Sequence, residues 1–438
     1  MKNKKSNAEL MKELDLIKGE IIMDNFNNII GYNHIKNELN RIIDCINNRD
    51  KYERLGVKIP KNLLLHGEPG VGKTLFANAF INALNRNRYI IRKDMPDGKF
   101  VEFINNKIRE AIDNQPAVIL LDDIDKFSNN DDNHRNSDEF IVVQSLIDDC
   151  KDKDIYFVAT ANSLDDMPYS LLRAGRFDTK IRIEGPILKD AVKIIEHYLK
   201  DKKVDKDIDY EEIAKILDGG SCALLETIIN EAGLYAGYDN NEIIRKQDII
   251  KACLRIIYNE PYNEEEIPLE RLEVVSYHEA GHALILEVLE PHSVNLLTIE
   301  NYFSNKGGLT SSTRNENYWY NIGYMENRII ALLAGKAATE LQFNRLDVGA
   351  ASDLERASTI LSRIYNDYYV NDFSKFGRDF SEAYKVKGES WMTLKLKEYY
   401  NKAKAILIDN KDKLDKLANE LKDKKVLLQN DINNIIRW

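Results

Sequence analysis

The sequence predicts an α/β unit built on a parallel sheet with a small helical appendage, followed by a second, mainly α-helical domain. Three observations predict it. Short apolar runs alternate with longer helical patterns from residue 25 to 185. Between 186 and 260 the β-like runs stop, and segments such as DAVKIIEHYLKD and ALLETIINEAGLYAG carry apolar residues at three- and four-residue spacing. After the acid- and proline-rich NEPYNEEEIP, residues 259 to 268, the rest of the chain, 261 to 438, is again mostly helical, with one β-like interruption near 294 to 312.

Composition narrows the function classes. A chain of 438 residues, 43% hydrophobic and 31% charged, has room for two or three domains with sizeable cores. Its 62 Lys and Arg against 72 Asp and Glu give a net charge of −10 with the signs interleaved, so no basic surface for nucleic acid is expected. Cys45, Cys150, Cys222 and Cys253 stand far apart without a C-x-x-C pair, which argues against a disulfide framework or a thiolate zinc knuckle and fits a reducing compartment. The longest apolar runs, Ala117 to Leu121 and Ala283 to Leu286, fall well short of the roughly 20 residues a membrane helix needs. MKNKKSNAEL has no apolar run behind its basic start. A soluble, cytoplasmic protein with no membrane insertion is expected.

Residues 1 to 24 form a polar leader with no assigned function, and SNNDDNHRNSDE, residues 128 to 139, reads as an exposed loop. NLLLHG, AVILLDD and IYFVATAN read as buried parallel strands. Between the first of these and a helical LFANAFINAL lies GEPGVGKT, residues 67 to 74, which matches G-x-x-x-x-G-K-[ST] in the strand, loop, helix context that motif requires. The loop Gly67, Glu68, Pro69, Gly70, Val71, Gly72, Lys73, Thr74 and Leu75 is therefore expected to wrap a nucleotide. Its backbone N–H groups meet the phosphates, Lys73 reaches the β and γ oxygens, and the Thr74 hydroxyl ligates Mg²⁺.

AVILLDDID then supplies Asp122 as the Mg²⁺ partner. Asp123 stands where a water-polarising carboxylate is needed and a glutamate is commoner; the missing methylene shortens its reach by about 1.5 Å, so slow hydrolysis is expected. Asn162 ends the third strand, suited to hold the lytic water or the γ-phosphate. In SLLRAGRFD, Arg173 and Arg176 are suited to reach a neighbour's γ-phosphate.

Residues 26 to 185 resemble the AAA+ ATPase module, and IIGYNHIKNEL with RLGVKIPKNLLLHGEPGVGKT resembles its FtsH-type branch. The resemblance implies that Ile30 and Gly31 lie near the adenine of ATP, that Asn162 is sensor 1, and that Arg173 and Arg176 act in trans as arginine fingers in a ring, a homo-hexamer. GGSCALLETIINEAGLYA resembles the lid segment that contacts nucleotide, with Cys222 and Leu224 where Gly and Asp are usual.

SYHEAGHALILEV, residues 276 to 288, carries a second chemistry. An α-helix turns about 100° per residue, so His278 and His282 lie one turn apart on one face and Glu279 is offset towards a metal-bound water. This is the H-E-x-x-H arrangement: zinc acidifies its water and polarises a scissile carbonyl, and the glutamate takes the proton. A lone histidine on an apolar helix is ordinarily a core residue, but two of them bracketing a buried acid ask for a cation or a hydrogen-bond network. Zinc needs a third ligand, for which Asp353 in DVGAASDLERAS is the best candidate, with Glu340, Asp347 and Glu355 as rivals.

HEAGHAL, LLAGKAATE and GAASDLERAS resemble the FtsH peptidase domain, and the resemblance implies Asp353 as third ligand of one Zn²⁺ per subunit. The terminal stretch from about 394 to 430 is also similar to that domain's last helices. Between them, VNLLTIE and NKGGLTSST read as a short β unit, either an ordinary hairpin or one whose free edge is suited to pair with a peptide. GKFVEFINNKIREAI, residues 98 to 112, is shorter than the family's pore segment and lacks its aromatic motif; Phe100 and Phe103 are either its substitutes or core residues. QSLIDDCKDKDIYF lacks the usual Asp-Gly-Phe signal between subunits.

The expected activity is an ATP-dependent zinc endopeptidase that unfolds and degrades proteins. Two rivals are a remodeller with an idle peptidase and a zinc peptidase in which nucleotide serves only assembly.

Overall fold

The computed structural model describes residues 25–95, 97–127, 138–173, 175–259, 267–300, 307–313, 321–345, 349–367 and 381–436. The leader, the tract 128–137, residues 260–266 of the linker and Asp347 lie outside the described residues. The chain divides into two units, residues 1–202 with 219–230 and residues 203–218 with 231–438.

In the first unit the elements run α1 (Asn33–Asn47), α2 (Arg49–Glu53), β1 (Asn62–His66), α3 (Lys73–Ala83), β2 (Asn87–Arg92), α4 (Asp97–Asp113), β3 (Ala117–Asp122), α5 (Asp138–Asp149), β4 (Ile155–Ala161), β5 (Thr179–Arg182) and α6 (Leu188–Leu199). The strands form one parallel sheet in the order β2-β3-β4-β1-β5. Strands β3 and β4 are buried at every position and β1 at all but its last, because helices cover both faces of a parallel sheet; that is why their sequences are unbroken apolar runs. The edge strands β2 and β5 are largely exposed, and NRYIIR and TKIR carry no such run, so the sequence reading missed them.

One face of the sheet packs on α4 and α5 through Phe100, Ile104, Ile108, Phe140, Val143 and Ile147. Phe100 is fully buried, edge-on to Phe127 and stacked beside a half-buried Phe103, so it serves the core rather than an open pore surface. Parallel strand ends and helix N-termini thus converge after β1, β3 and β4, the place where such sheets bind ligands.

The second unit contains α7 (Tyr210–Ile216), the end of α8 (Cys222–Tyr238), α9 (Lys246–Tyr258), α10 (Leu269–Leu289), β6 (Val294–Thr298), β7 (Leu309–Ser312), α11 (Ile322–Phe343), α12 (Ala351–Asp367), α13 (Glu382–Asp409), α14 (Lys411–Lys424), β8 (Val426–Leu428) and α15 (Gln429–Ile436). Helix α10 is buried nearly all round from Ser276 to Glu287, packed among α11, α14 and β6. The expected β unit is present as β6 and β7, joined by β8 in an antiparallel sheet of order β7-β6-β8. VLL, only three residues between two helices, offered no strand signal.

Segment 203–218 groups with this unit through defined bonds. Asn295 donates to the Lys215 carbonyl at 3.0 Å, Lys215 to Gln429 Oε1 at 3.1 Å, and the Asn430 N–H to Glu212 Oε1 at 3.2 Å. Among the described residues no helix is long and apolar enough to cross a membrane.

A candidate metal centre and a candidate nucleotide site

Helix α10 carries His278 and His282 one turn apart, and the first turn of α12 brings Asp353 to meet them. His278 Nε2 and His282 Nε2 are 3.1 Å apart, and each lies 3.2 Å from Asp353 Oδ2. A tetrahedral zinc with ligands at about 2.0–2.1 Å spaces their donor atoms about 3.3–3.4 Å apart, so this triangle is the size the ion requires. Among the described residues it is the one group of three or more metal-ligating side chains that converges in this way.

Two further features fit the cation. His282 Nδ1 donates to the Ala331 carbonyl of α11 at 2.7 Å, which fixes the tautomer and leaves the Nε2 lone pair facing Asp353. Burial pushes the Asp353 carboxyl up, but its bonds to both histidines outweigh that and hold it well below the usual carboxylate range, ionised as a ligand must be.

The facing helix leaves room for this triangle. A Cβ at Gly335 of α11 would lie 2.5 Å from His282 Nε2 and 2.7 Å from His278 Nε2, so only glycine admits both rings. Gly335→Ala, which by helix propensity alone favours the fold by about 1 kcal/mol, is expected to lower zinc affinity by about 10–100-fold. Metal analysis after dialysis against a weak chelator checks it; a parent-like zinc content contradicts the crowding argument.

Glu279 is only 7% exposed. The Thr310 hydroxyl on β7 lies 2.7 Å from Glu279 Oε2, donating to it, and Gly308 leaves space beside the same side chain. Neither Gly335, Thr310 nor the Ala331 carbonyl was identified from sequence. A glycine inside the apolar helix LLAGKAATE was the available signal for the first; the other two depend on elements distant in sequence. Of the rival ligands, Glu340 is bound to Tyr400 and, at 2.7 Å, to Lys404, and Glu355 is absent from the triangle.

At the sheet's C-terminal edge, Gly67 follows β1 at φ 153°, where a Cβ would collide with the Ile183 carbonyl at 1.9 Å. Gly72 caps α3 in the left-handed region, and Lys73 and Thr74 open that helix, so its N-terminus faces the loop. Val71 is buried, while Glu68, Pro69, Gly70 and Leu75 are exposed. Lys73 Nζ donates at 2.8 Å to the Gly67 carbonyl, the Glu68 carbonyl and Asn162 Oδ1. Asn162 is oriented in turn by Asp125, whose Oδ2 accepts its backbone N–H at 3.1 Å and its side-chain N–H at 3.0 Å. Asp125, the last acid of AVILLDDID, was not singled out from sequence.

Asp122 is 1% exposed. Its Oδ1 accepts from Thr160 at 2.7 Å and Thr74 at 3.1 Å, and its Oδ2 from Arg92 Nε at 3.0 Å and from Nη2. Burial raises its pKa, and the bonds from Arg92 and Thr160 more than offset that, leaving it below the ordinary value. Asp123 adopts a left-handed φ of 53° and pairs with Lys126 at 2.7 Å. Ile30 and Gly31 precede Tyr32, whose backbone N–H donates to Asp190 Oδ2 of α6 at 2.8 Å and whose hydroxyl lies 3.3 Å from Cys222 Sγ.

The two arginines differ. Arg176 is held by Asp148, at 2.7 Å from Nη2, and by the Ser170 carbonyl; the pairing pulls the Asp148 carboxyl down to about 2. Arg173 is exposed, its guanidinium 5.3 Å from the centre of the Tyr169 ring.

Comparisons with known proteins place both parts of the chain in described families. Residues 63–185 match the ATPase family associated with various cellular activities (AAA), and residues 266–373 match peptidase family M41. The chain is similar to the ATP-dependent zinc metalloprotease FtsH of Helicobacter felis, 30% identical over 454 residues that cover 96% of this chain and 71% of that protein. It is similar also to ATP-dependent zinc metalloprotease FtsH 2 of Thermoanaerobacter sp., at 27% identity covering 94% and 82%. The FtsH of Helicobacter pylori is 28% identical, covering 94% and 70%.

Proposed function

The chain belongs to the FtsH family of ATP-dependent zinc metalloproteases, and on that premise we propose how its own residues divide the work. The protein is an ATP-dependent zinc protease using Zn²⁺, ATP and Mg²⁺. Proteins of this family act as oligomeric proteases on protein substrates. In our reading the oligomer is a homo-hexameric ring, residues 186–260 act as its nucleotide lid, and it works in the cytoplasm without inserting in a membrane or binding nucleic acid.

One observation carries the peptidase assignment: three donor atoms 3.1–3.2 Å apart beside a nearly buried glutamate. His278, His282 and Asp353 would hold the zinc. When bound there, the ion supplies a Lewis acid that acidifies water and polarises the scissile carbonyl. Glu279 takes a proton from the attacking water and returns it to the leaving amine. Its Oε2 accepts the Thr310 hydroxyl, leaving Oε1 to do so. Strand β7 lies at the edge of its sheet and carries Thr310, so a peptide added along that edge is delivered next to Glu279. The intact triangle disfavours an idle peptidase.

Thr310 acts through Glu279, as a positioning residue. Thr310→Val is expected to lower kcat for cleavage about tenfold with KM and zinc content near the parent values, and Thr310→Ser to restore it. Equal losses in both variants contradict this role.

In the first unit, Lys73 meets the β and γ phosphates, and Thr74 with Asp122 would hold Mg²⁺, which when bound neutralises phosphate charge. Asn162, aimed by Asp125, and Asp123 handle the attacking water. Asp123 shares its carboxylate with Lys126, a second reason for slow turnover beside its short reach. Ile30 and Gly31 border the adenine. Arg173 and Arg176 reach the neighbouring subunit's nucleotide, Arg173 from an exposed position and Arg176 from its pairing with Asp148. Cleavage of an unfolded protein by purified chain, with and without a zinc chelator, tests this reading; chelator-resistant cleavage overturns it.

A further inference from the structure

We infer that Arg92 sets the magnesium requirement of the nucleotide site by competing with the ion for the charge of Asp122, an inference that rests on reading GEPGVGKT and Asp122 as a Mg²⁺-nucleotide site. Strands β2 and β3 are paired in parallel with Arg92 opposite Asp122, which puts both side chains on one face of the sheet at its ligand-binding edge. Two guanidinium nitrogens bond the same carboxylate oxygen, Oδ2. The other oxygen faces Thr74 and Thr160, so both are engaged by donors within this unit.

The partners differ in mobility. Asp122 is 1% exposed and fixed by two hydroxyls, whereas the Arg92 side chain is 58% exposed and ends an edge strand. A cation already resting on Oδ2 reduces the attraction of Asp122 for a second cation beside Thr74. Magnesium and nucleotide must therefore displace the guanidinium towards solvent or share the carboxylate with it. Nothing in the chemistry of phosphate binding needs a cation at this strand position; its effect is to make the site fill only when magnesium is plentiful.

The test uses the full chain and a fluorescent ATP analogue, titrating magnesium at fixed analogue and reading binding rather than turnover. Arg92→Gln is expected to lower the magnesium concentration at half-saturation by about three- to fivefold, the size of a partly exposed charge pair. Arg92→Ala should shift it the same way, and Arg92→Lys, which keeps the charge, should stay at the parent value. An unchanged or higher requirement in the Gln and Ala variants overturns the inference, as does a Lys variant that behaves like Gln. A parent that binds no analogue at any magnesium concentration instead refutes the nucleotide-site reading. Thermal unfolding midpoints near the parent's show that the exposed position tolerates the changes.

Discussion

Glu279→Gln is expected to lower cleavage of an unfolded protein by about 10²–10⁴-fold, with zinc content and ATP turnover at parent values. The substitution keeps the side chain's length and its carbonyl oxygen, so the Thr310 hydroxyl retains an acceptor and the close packing against Gly308 is undisturbed. What it removes is the capacity to take a proton. The proposed zinc ligands are not touched, because Glu279 lies outside the triangle of His278, His282 and Asp353. Cleavage assays paired with metal analysis separate this from loss of the ion. Cleavage at the parent rate contradicts the assignment of Glu279 as the base.

The second large effect lies in the other unit. Lys73→Ala should lower ATP turnover by at least about 10²-fold, since it removes the cation proposed to meet the β and γ phosphates. Degradation of a folded protein should stop with it, and cleavage of an unfolded one should persist. The ammonium is positioned by three acceptors, two of them carbonyls of its own loop and the third Asn162 Oδ1. A lysine held this way is ready for phosphate without rearrangement of the helix that carries it. Native-rate degradation of a folded substrate by this variant would break the link between nucleotide and proteolysis.

The chemistry was more legible in the sequence than the scaffold that aims it. GEPGVGKT and HEAGH are local, with spacing dictated by a single turn of loop or helix, so their residues could be named without tertiary information. The buried strands β1, β3 and β4 announced themselves as apolar runs for the same local reason. Asp353 was different. It enters from the start of α12, 75 residues from His278, and residue chemistry alone left Glu340, Asp347 and Glu355 in contention until the resemblance favoured it.

Three edge strands and the cross-element contacts were beyond reach, whereas β7, also an edge, was read with β6. β2 is as long as β3 but largely polar and exposed, β5 is short and polar, and β8 is three residues between helices, so neither period nor composition marks them. The bond between Arg92 and Asp122 depends on strand register, the contact of Thr310 with Glu279 on a sheet docked against a helix, and Gly335 on the crossing of α10 and α11. Phe100 is a different case: its segment alone left it between pore and core, and the fold uses it as core.

ATP hydrolysis in the first unit is expected to drive zinc-dependent cleavage in the second. Degradation of one stable protein, folded and chemically unfolded, measured with ATP, without ATP and with a zinc chelator, addresses it most directly. The folded form is expected to be degraded only with both ATP and zinc, and the unfolded form with zinc alone. Degradation of the folded form at equal rates with and without ATP would contradict it.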